Sequence, residues 1–196
     1  METLQPEGQL EPGTPEPEQT DWKRFLLDLL ETVGLAVVLF LVINTISARV
    51  RVDGSSMLPT LHDGEFVLVD KLAYRFGSPT RGDIIVFRST TVQDLDLIKR
   101  VIGLPGDKIS IHTNQVIVNG QALQEPYINA EPDYNGEWQV PNGELFVLGD
   151  NRNDSSDSHV WSYLPMSNII GKALLIYWPP PEWAMINHVQ IAVAAP

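Results

Sequence analysis

Apolar residues are distributed in two distinct ways along the chain. The first twenty residues offer almost nothing that could form a core and are rich in Glu, Pro, Gln and Gly. A long apolar stretch runs from Phe25 to Ile46, and from Arg49 onwards the apolar residues come in short runs, some alternating with polar ones. This pattern predicts a disordered acidic tail over 1–21, one long helix over 22–47, and β-strands after it.

The apolar stretch is long enough for a transmembrane anchor. As a helix, the 22 residues from Phe25 to Ile46 would extend about 33 Å, which spans the hydrocarbon core of a bilayer. Asp28 and Glu31 lie near its N-terminal end, where the interface and the helix dipole make acidic residues least costly. A buried helix of a soluble protein is one alternative, and a signal peptide cleaved after 46–48 is another. The long acidic segment before the stretch favours a retained anchor, because signal peptides begin with a short basic region.

The remainder predicts a mainly β fold of short antiparallel strands over 48–181, followed by a C-terminal tail over 182–196. Apolar runs bounded by turn residues predict strands at 65–70, 83–87, 97–103, 108–112, 115–119, 144–149 and 172–178. Thr113-Asn114 and Asn119-Gly120 are typical of tight hairpin turns. Residues 125–143, with several prolines and glycines, are predicted to form a loop, and Pro179–Pro181 to end the domain.

Charge and cysteine content narrow the possible functions. The net charge is -12, from 13 Lys and Arg against 25 Asp and Glu. Phosphate repulsion makes so acidic a chain a poor nucleic-acid binder, so no nucleic-acid partner is expected. There are no cysteines, which excludes disulfides, thiolate metal sites and cysteine nucleophiles. No cofactor or metal is expected.

The first candidate for chemistry is the segment Gly54-Ser-Ser-Met-Leu-Pro-Thr-Leu61. Gly54 permits a close backbone approach, and the proline fixes its own φ, so the segment can hold a serine hydroxyl on an exposed turn. An ordinary loop explains the same residues. A Ser-His-Asp triad of Ser56, His62 and Asp63 is an alternative, although such close neighbours rarely reach triad geometry.

Lys99 is the second candidate, because it interrupts the apolar strand Leu97–Ile102. If its side chain shares the face of Leu97 and Val101, burial lowers the pKa of the amine and lets it act as a base near neutral pH. A strand lysine whose amine reaches back to solvent is the alternative.

The third candidate is the polar cluster Gly149–His159, which is dense in Asp, Asn and Ser. Short polar side chains of this kind can orient catalytic groups through hydrogen bonds. A Ca²⁺ loop is an alternative, but Arg152 would occupy the third ligand position.

Four segments, taken in order, resemble the signature boxes of type I signal peptidases. They are Val52–Leu61, Arg81–Phe87, Lys99–Asp107 and Gly149–His159, and the resemblance covers about residues 25–180. Asp-Ser-His-Val-Trp from position 157 is similar to the cyanobacterial and plastid thylakoid branch, whereas many bacterial members have Arg where this chain has His159. The resemblance implies a membrane-anchored serine protease with a Ser-Lys dyad.

The resemblance also implies a role for each matching residue. Ser56 matches the nucleophile and Lys99 the general base. Gly54 matches the oxyanion position, where a backbone N–H would have to serve as the second donor. The remaining matches are supporting positions: Ser155 orients the lysine, Asp157 supports that network, and Arg100 pairs with Asp150. Ser55 is left as a backbone spacer, and Met57 and Leu58 are candidates for the substrate pocket.

The implied activity is removal of N-terminal signal peptides from exported preproteins with small residues at −1 and −3. The implied partners are these preproteins and the lipid bilayer, with the catalytic domain on the periplasmic or thylakoid-lumen side. Ser56 is ten residues past Ile46, so it lies at most about 36 Å from the end of the helix. Two other functions are weighed against this one: a membrane-tethered β domain that binds partners without catalysis, and a self-cleaving repressor-type protease, which would need a DNA-binding module.

Overall fold

The computed structural model describes residues 22–189. The tail predicted over 1–21 and the last part of the predicted C-terminal tail lie outside the described residues. The chain divides into two compact units, one ending at Phe40 and one beginning at Leu41.

The long helix predicted from the apolar stretch is present. Helix α1 (Trp22–Ile46) has 25 residues, and none of its side chains is buried within the protein. Its most apolar window has a mean hydropathy of 2.5. By length and composition it can cross a membrane, since 25 residues extend about 37 Å as a helix.

The unit that begins at Leu41 is built from short strands. In chain order they are β1 (Ser47–Arg51), β2 (Phe66–Asp70), β3 (Ile84–Arg88), β4 (Asp96–Gly103), β5 (Lys108–His112), β6 (Gln115–Val118), β7 (Gln121–Ala122), β8 (Gly136–Gln139), β9 (Glu144–Leu148), β10 (Leu164–Pro165), β11 (Ile169–Trp178) and β12 (Ala184–Met185). A short helix, α2 (Ser158–Trp161), precedes β10. Two 3₁₀ turns, Met166–Asn168 and Pro180–Glu182, flank β11.

The strands form two antiparallel sheets. The larger has the order β1-β2-β11-β3-β4-β9-β10, with β12 paired to β11, and the smaller has the order β7-β6-β5-β8. Strand β2 alternates between buried and half-buried residues, as a strand with one core-facing side does. Strand β4 instead is buried at every position from Ile98 to Gly103, because Ile98, Val101 and Ile102 pack into three different hydrophobic clusters that cover both of its faces. Both Lys99 and Arg100 are therefore carried into the interior.

The predicted fold class is confirmed, and the two predicted tight turns are present. Thr113 and Asn114 have positive φ, and so do Asn119 and Gly120, as tight hairpin turns require. The loop predicted over 125–143 is only partly correct, because β8 lies within it and pairs with β5.

Packing also continues past the predicted domain end at 181. Strand β12 pairs with β11, and Ile186 is buried in the core. Both β8 and β12 are short and owe their structure to a partner strand, so a local apolar pattern does not reveal them.

Candidate active site

Ser56 lies on a turn within the segment 52–65, which connects β1 to β2. The residues on either side of the turn hold it in place: the Leu58 N–H donates to the Ser55 carbonyl at 3.1 Å, and the Leu61 N–H donates to the Met57 carbonyl at 2.9 Å. Met57 and Leu61 are both buried in the core. These anchors leave the Ser56 side chain half-buried and facing β4.

Lys99 reaches Ser56 from β4. Its Nζ lies 2.7 Å from Ser56 Oγ and donates to the Ile98 carbonyl at 3.0 Å. Lys99 is only 3% exposed, so the alternative of an amine that reaches back to solvent is wrong. Burial lowers the pKa of Lys99 to about 8, against the opposing charges of Asp157 and Asp150.

The polar cluster 149–159 packs directly against the Ser56 turn. The Asn151 N–H donates to the Ser56 carbonyl at 3.0 Å, and the Asn151 side chain donates to the Ser55 carbonyl at 3.1 Å. The Ser55 hydroxyl donates to Asp154 at 2.5 Å, so Ser55 is more than the predicted spacer. Gly149 allows this approach, because a Cβ there would lie 2.4 Å from the Ser56 carbonyl oxygen.

Asp157 and Ser155, the two predicted supports within this cluster, differ in their contacts. Asp157 is fully buried, accepts the Gly149 N–H at 2.8 Å, and lies 2.7 Å from His159 Nδ1. The Ser155 hydroxyl is buried but has no hydrogen-bond partner within residues 22–189. The orienting contact from Ser155 to Lys99 is therefore absent here, and that role stays a prediction.

Arg100 and Asp150 form a fully buried ion pair between β4 and the polar cluster. The Arg100 guanidinium donates twice to the Asp150 carboxylate, at 2.8 and 2.7 Å, and also to the Gly82 carbonyl at 2.9 Å. Thr60 donates to the same carboxylate from the Ser56 turn, which links all three segments. The Tyr127 ring covers the guanidinium at 4.0 Å.

Gly54 plays a different part from the one predicted. Its backbone has a φ of +92°, and its N–H donates to the Asp63 carboxylate at 2.7 Å. This N–H is therefore already bonded within the protein, and an oxyanion role for position 54 stays a prediction. His62 contacts Glu65, with Nδ1 3.4 Å from Oε1, while Asp63 holds Gly54, so the triad alternative with Ser56 is wrong.

A cavity of about 170 Å³ opens beside the Ser56–Lys99 pair. The pair itself and Met57 line one part of it. Residues at the end of β1 and at the start of β4 complete the lining: Arg51, Val52, Asp53, Leu95, Asp96, Leu97 and Ile98. Of the two pocket candidates, Met57 lines this cavity although it is only 1% exposed, and Leu58 is half-buried.

Sequence reasoning missed the part that three residues play in holding this site together, although it names Asp63 in the alternative triad. The Asn151 side chain donates to the Ser55 carbonyl, and Thr60 donates to Asp150. The Asp63 carboxylate accepts the Gly54 N–H. The signal for Asn151 is its place in the polar cluster 149–159, which is expected to orient catalytic groups. For Thr60 and Asp63, the partner becomes evident only once the turn is folded.

Comparison with known proteins identifies the family of the chain. The family model described as "Signal peptidase, peptidase S26" matches residues 26–178. A signal peptidase I from Leptolyngbya laminosa is 44% identical over 187 residues, covering 91% of this chain and 92% of that protein. A probable thylakoidal processing peptidase 2 from Arabidopsis thaliana is 37% identical, covering 72% of this chain and 41% of that protein.

A solved structure of a signal peptidase I from Enterococcus faecalis is 30% identical. It aligns over 48% of this chain and 96% of that chain, with a TM-score of 0.45. The family match and the extended similarity to signal peptidases I show that this chain belongs to the signal peptidase family, peptidase S26, and is a hydrolase of the signal peptidase I type.

Proposed function

We propose that this enzyme is a membrane-tethered serine endopeptidase in which Ser56 is the nucleophile and Lys99 the general base. One observation carries the proposal, namely the 2.7 Å separation between Lys99 Nζ and Ser56 Oγ. A nucleophile and its base must lie within such hydrogen-bond reach for the proton to be transferred.

Lys99 acts in its neutral form. Burial lowers its pKa to about 8, so about a tenth of the amine is unprotonated at pH 7, far more than for an ordinary lysine. The neutral amine accepts the Ser56 proton as Oγ attacks the scissile carbonyl. The protonated amine then passes that proton to the leaving amine, and water hydrolyses the acyl-enzyme with Lys99 again as the base.

The Ser56 N–H is the proposed oxyanion donor. Among the described residues it has no hydrogen-bond acceptor, whereas the Gly54 N–H is held by Asp63. One such donor contributes about 3–4 kcal/mol of transition-state stabilisation in serine proteases. Asp63 acts indirectly, by fixing the turn that aims the Ser56 N–H.

The substrate binds as an extended strand between two open sheet edges. Strand β1 is the edge of the larger sheet, and β4 pairs with β9 only from Arg100 onwards, which leaves 96–98 open on that side. Both edges line the cavity beside Ser56, and backbone pairing to such edges tolerates many sequences. At about 170 Å³ the cavity is smaller than drug-sized pockets of roughly 300–1,000 Å³, which favours small side chains at −1 and −3.

The substrates are preproteins whose signal peptides lie in the same membrane as α1. The helix supports a tether by its length and hydropathy. Cleavage then takes place on the periplasmic or thylakoid-lumen side, where an exported preprotein emerges.

Cleavage of a precursor with an Ala-x-Ala site tests the dyad. Ser56→Ala and Lys99→Ala are each expected to abolish processing while the fold, measured by circular dichroism, is kept. Matched controls are Ser78→Ala and Lys108→Ala, two exposed positions outside the site that should keep full activity. Full activity of Lys99→Ala would overturn the proposal.

Topology is tested separately, and the absence of cysteine from the chain makes the experiment simple. A single cysteine introduced at the exposed Thr90 gives one thiol to label with a membrane-impermeant reagent. Labelling only from the periplasmic or lumenal side is expected. Labelling from the cytoplasmic or stromal side would contradict the proposed location.

A further inference from the structure

His159 contacts the carboxylate that lies behind the proposed base. Its Nδ1 is 2.7 Å from Asp157 Oδ1, and its backbone N–H donates to the same oxygen at 3.2 Å. The other carboxylate oxygen of Asp157 accepts the Gly149 N–H at 2.8 Å. Both oxygens are thus bonded, and one of them is bonded to an imidazole, which carries a positive charge when both of its ring nitrogens hold a proton.

Asp157 acts on Lys99 through its charge. It is fully buried, and of the charges that oppose the effect of burial on the Lys99 pKa, it has the largest influence. A negative Asp157 therefore favours the protonated, inactive form of Lys99. Anything that offsets this charge makes Lys99 a better proton acceptor.

The surroundings of His159 allow it to carry a charge. Its side chain is 20% exposed, so protons can exchange with solvent, whereas Asp157 is fully enclosed. The Tyr134 ring stacks on the imidazole at a centroid distance of 4.0 Å and an angle of 14°, and an aromatic face stabilises a cation.

Other charged groups complete this environment. Those that act on Tyr134 or Lys99 from the neighbouring segments, in addition to Asp157, are Arg152, Glu125, Asp133 and Asp150. Arg152 and Glu125 neutralise each other in a bidentate pair, and Asp150 is paired with Arg100. Asp133 adds a negative charge on the Tyr134 side, which favours a cation there as well.

We propose that His159 is a positioning residue whose protonation offsets the charge of Asp157 and so weakens the hold of Lys99 on its proton. The inference rests on the proposed function of Lys99 as the base. Its direction follows from the charges: as the pH falls and His159 gains a proton, Lys99 loses its own more easily. At acid pH the enzyme thereby retains more neutral base than burial of Lys99 alone would leave.

The pH profile of kcat/KM tests this, measured on the full-length enzyme in detergent with a peptide that lacks titrating groups. His159→Asn keeps a hydrogen-bond donor towards Asp157 but never carries a charge, and His159→Arg carries one at every pH. Normalised to its alkaline plateau, wild type should retain roughly three- to tenfold more relative activity than His159→Asn at the acid end of the profile. His159→Arg should have its acid limb shifted down by about half to one pH unit.

A merely structural role would lower kcat/KM by the same factor at all pH values. Superimposable normalised profiles for wild type and His159→Asn would overturn the proposal, and this pair decides the question even if His159→Arg does not fold. His112→Asn is the matched control, since His112 also pairs with a carboxylate, Glu137, but in the smaller sheet. It should keep the wild-type profile. Activity in Lys99→Ala would instead count against the proposed function itself.

Discussion

The Arg100 guanidinium and the Asp150 carboxylate share two parallel hydrogen bonds, Nε to Oδ1 at 2.8 Å and Nη2 to Oδ2 at 2.7 Å, with neither side chain exposed to solvent. Arg100 belongs to the same strand as Lys99, and Asp150 to the cluster that packs on the Ser56 turn. Because Thr60 also donates to Asp150, the pair fixes the strand of Lys99, the Ser56 turn and the polar cluster relative to one another.

Removing one member of this pair should destabilise the protein strongly. Arg100→Met leaves the Asp150 carboxylate buried without a counter-ion, which typically costs about 3–5 kcal/mol. The expected result is a large drop in the unfolding midpoint, measured by denaturant titration. Arg81→Met is a suitable control, because its partner Asp107 also accepts the Asn119 amide and the Leu104 N–H, so less is left unpaired. An unchanged midpoint for Arg100→Met would contradict the assigned role.

A methyl group at position 149 should separate the catalytic segments. The added Cβ of Gly149→Ala would lie 2.3 Å from Ser155 Oγ and 2.4 Å from the Ser56 carbonyl oxygen, so the Ser56 turn must move. A shift of about 1 Å in a catalytic group can cost about 100-fold in rate. We expect kcat to fall by that order while KM changes little. Gly77→Ala, whose Cβ meets its nearest atom at 3.8 Å, should be nearly neutral, and equal activity of the two variants would count against this packing.

Gly54 allows a separate test of the Ser56 turn, because a side chain at this position would strain the backbone without contacting other atoms. Its φ is +92°, yet a Cβ there would meet no atom within 4 Å. Gly54→Ala therefore adds no clash but strains the backbone by about 1–2 kcal/mol. We expect Gly54→Ala to lower kcat about tenfold. Asp63→Asn weakens the bond to the Gly54 N–H and should also lower kcat. Steady-state kinetics of both variants measure this, and a change confined to KM would contradict it.

Local patterns in the sequence predicted much of this fold. The apolar stretch predicted α1, and alternation with turn residues predicted the strands from β2 to β6, β9 and β11. The same patterns are silent about β8 and β12, which pair with distant strands. They are silent as well about the α2 helix, a single turn that begins where Asp157 accepts the His159 N–H.

Local sequence patterns predicted only part of the candidate site, because its residues meet through contacts between segments that are distant in sequence. Lys99 was conspicuous because a lysine interrupts an apolar strand, and it is indeed buried. Its partner Ser56 is 43 residues away, and only the resemblance to signal peptidases connected the two before the structure did. The bond from Asp63 to the Gly54 N–H depends on how the turn closes, which residue types alone do not specify.

The activity should show an acid limb set by Lys99. Since burial lowers the pKa of Lys99 to about 8, the amine is neutral above that pH and protonated below it. We expect kcat/KM to approach a plateau above about pH 8 and to fall by up to tenfold per pH unit below it. A pH-rate profile with a peptide substrate measures this, and a flat profile between pH 6 and 9 would contradict a lysine base.

Burial of Lys99 also lowers the free energy of unfolding, by an amount that depends on pH. The folded-state pKa is about 8, against 10.5 for an ordinary lysine, so between these values the unfolded chain binds a proton that the folded protein does not. The free energy of unfolding therefore rises with pH between about 8 and 10.5. Below about pH 8 it is reduced by the full cost of burying a charged Lys99. Lys99→Met should be more stable than wild type by about 2 kcal/mol at pH 7, and the gain should disappear near pH 11, where both states are neutral. Denaturant unfolding at the two pH values measures the difference, with the exposed Lys108→Met as the control; a gain equal at both would mean that burial of the charge is not its cause.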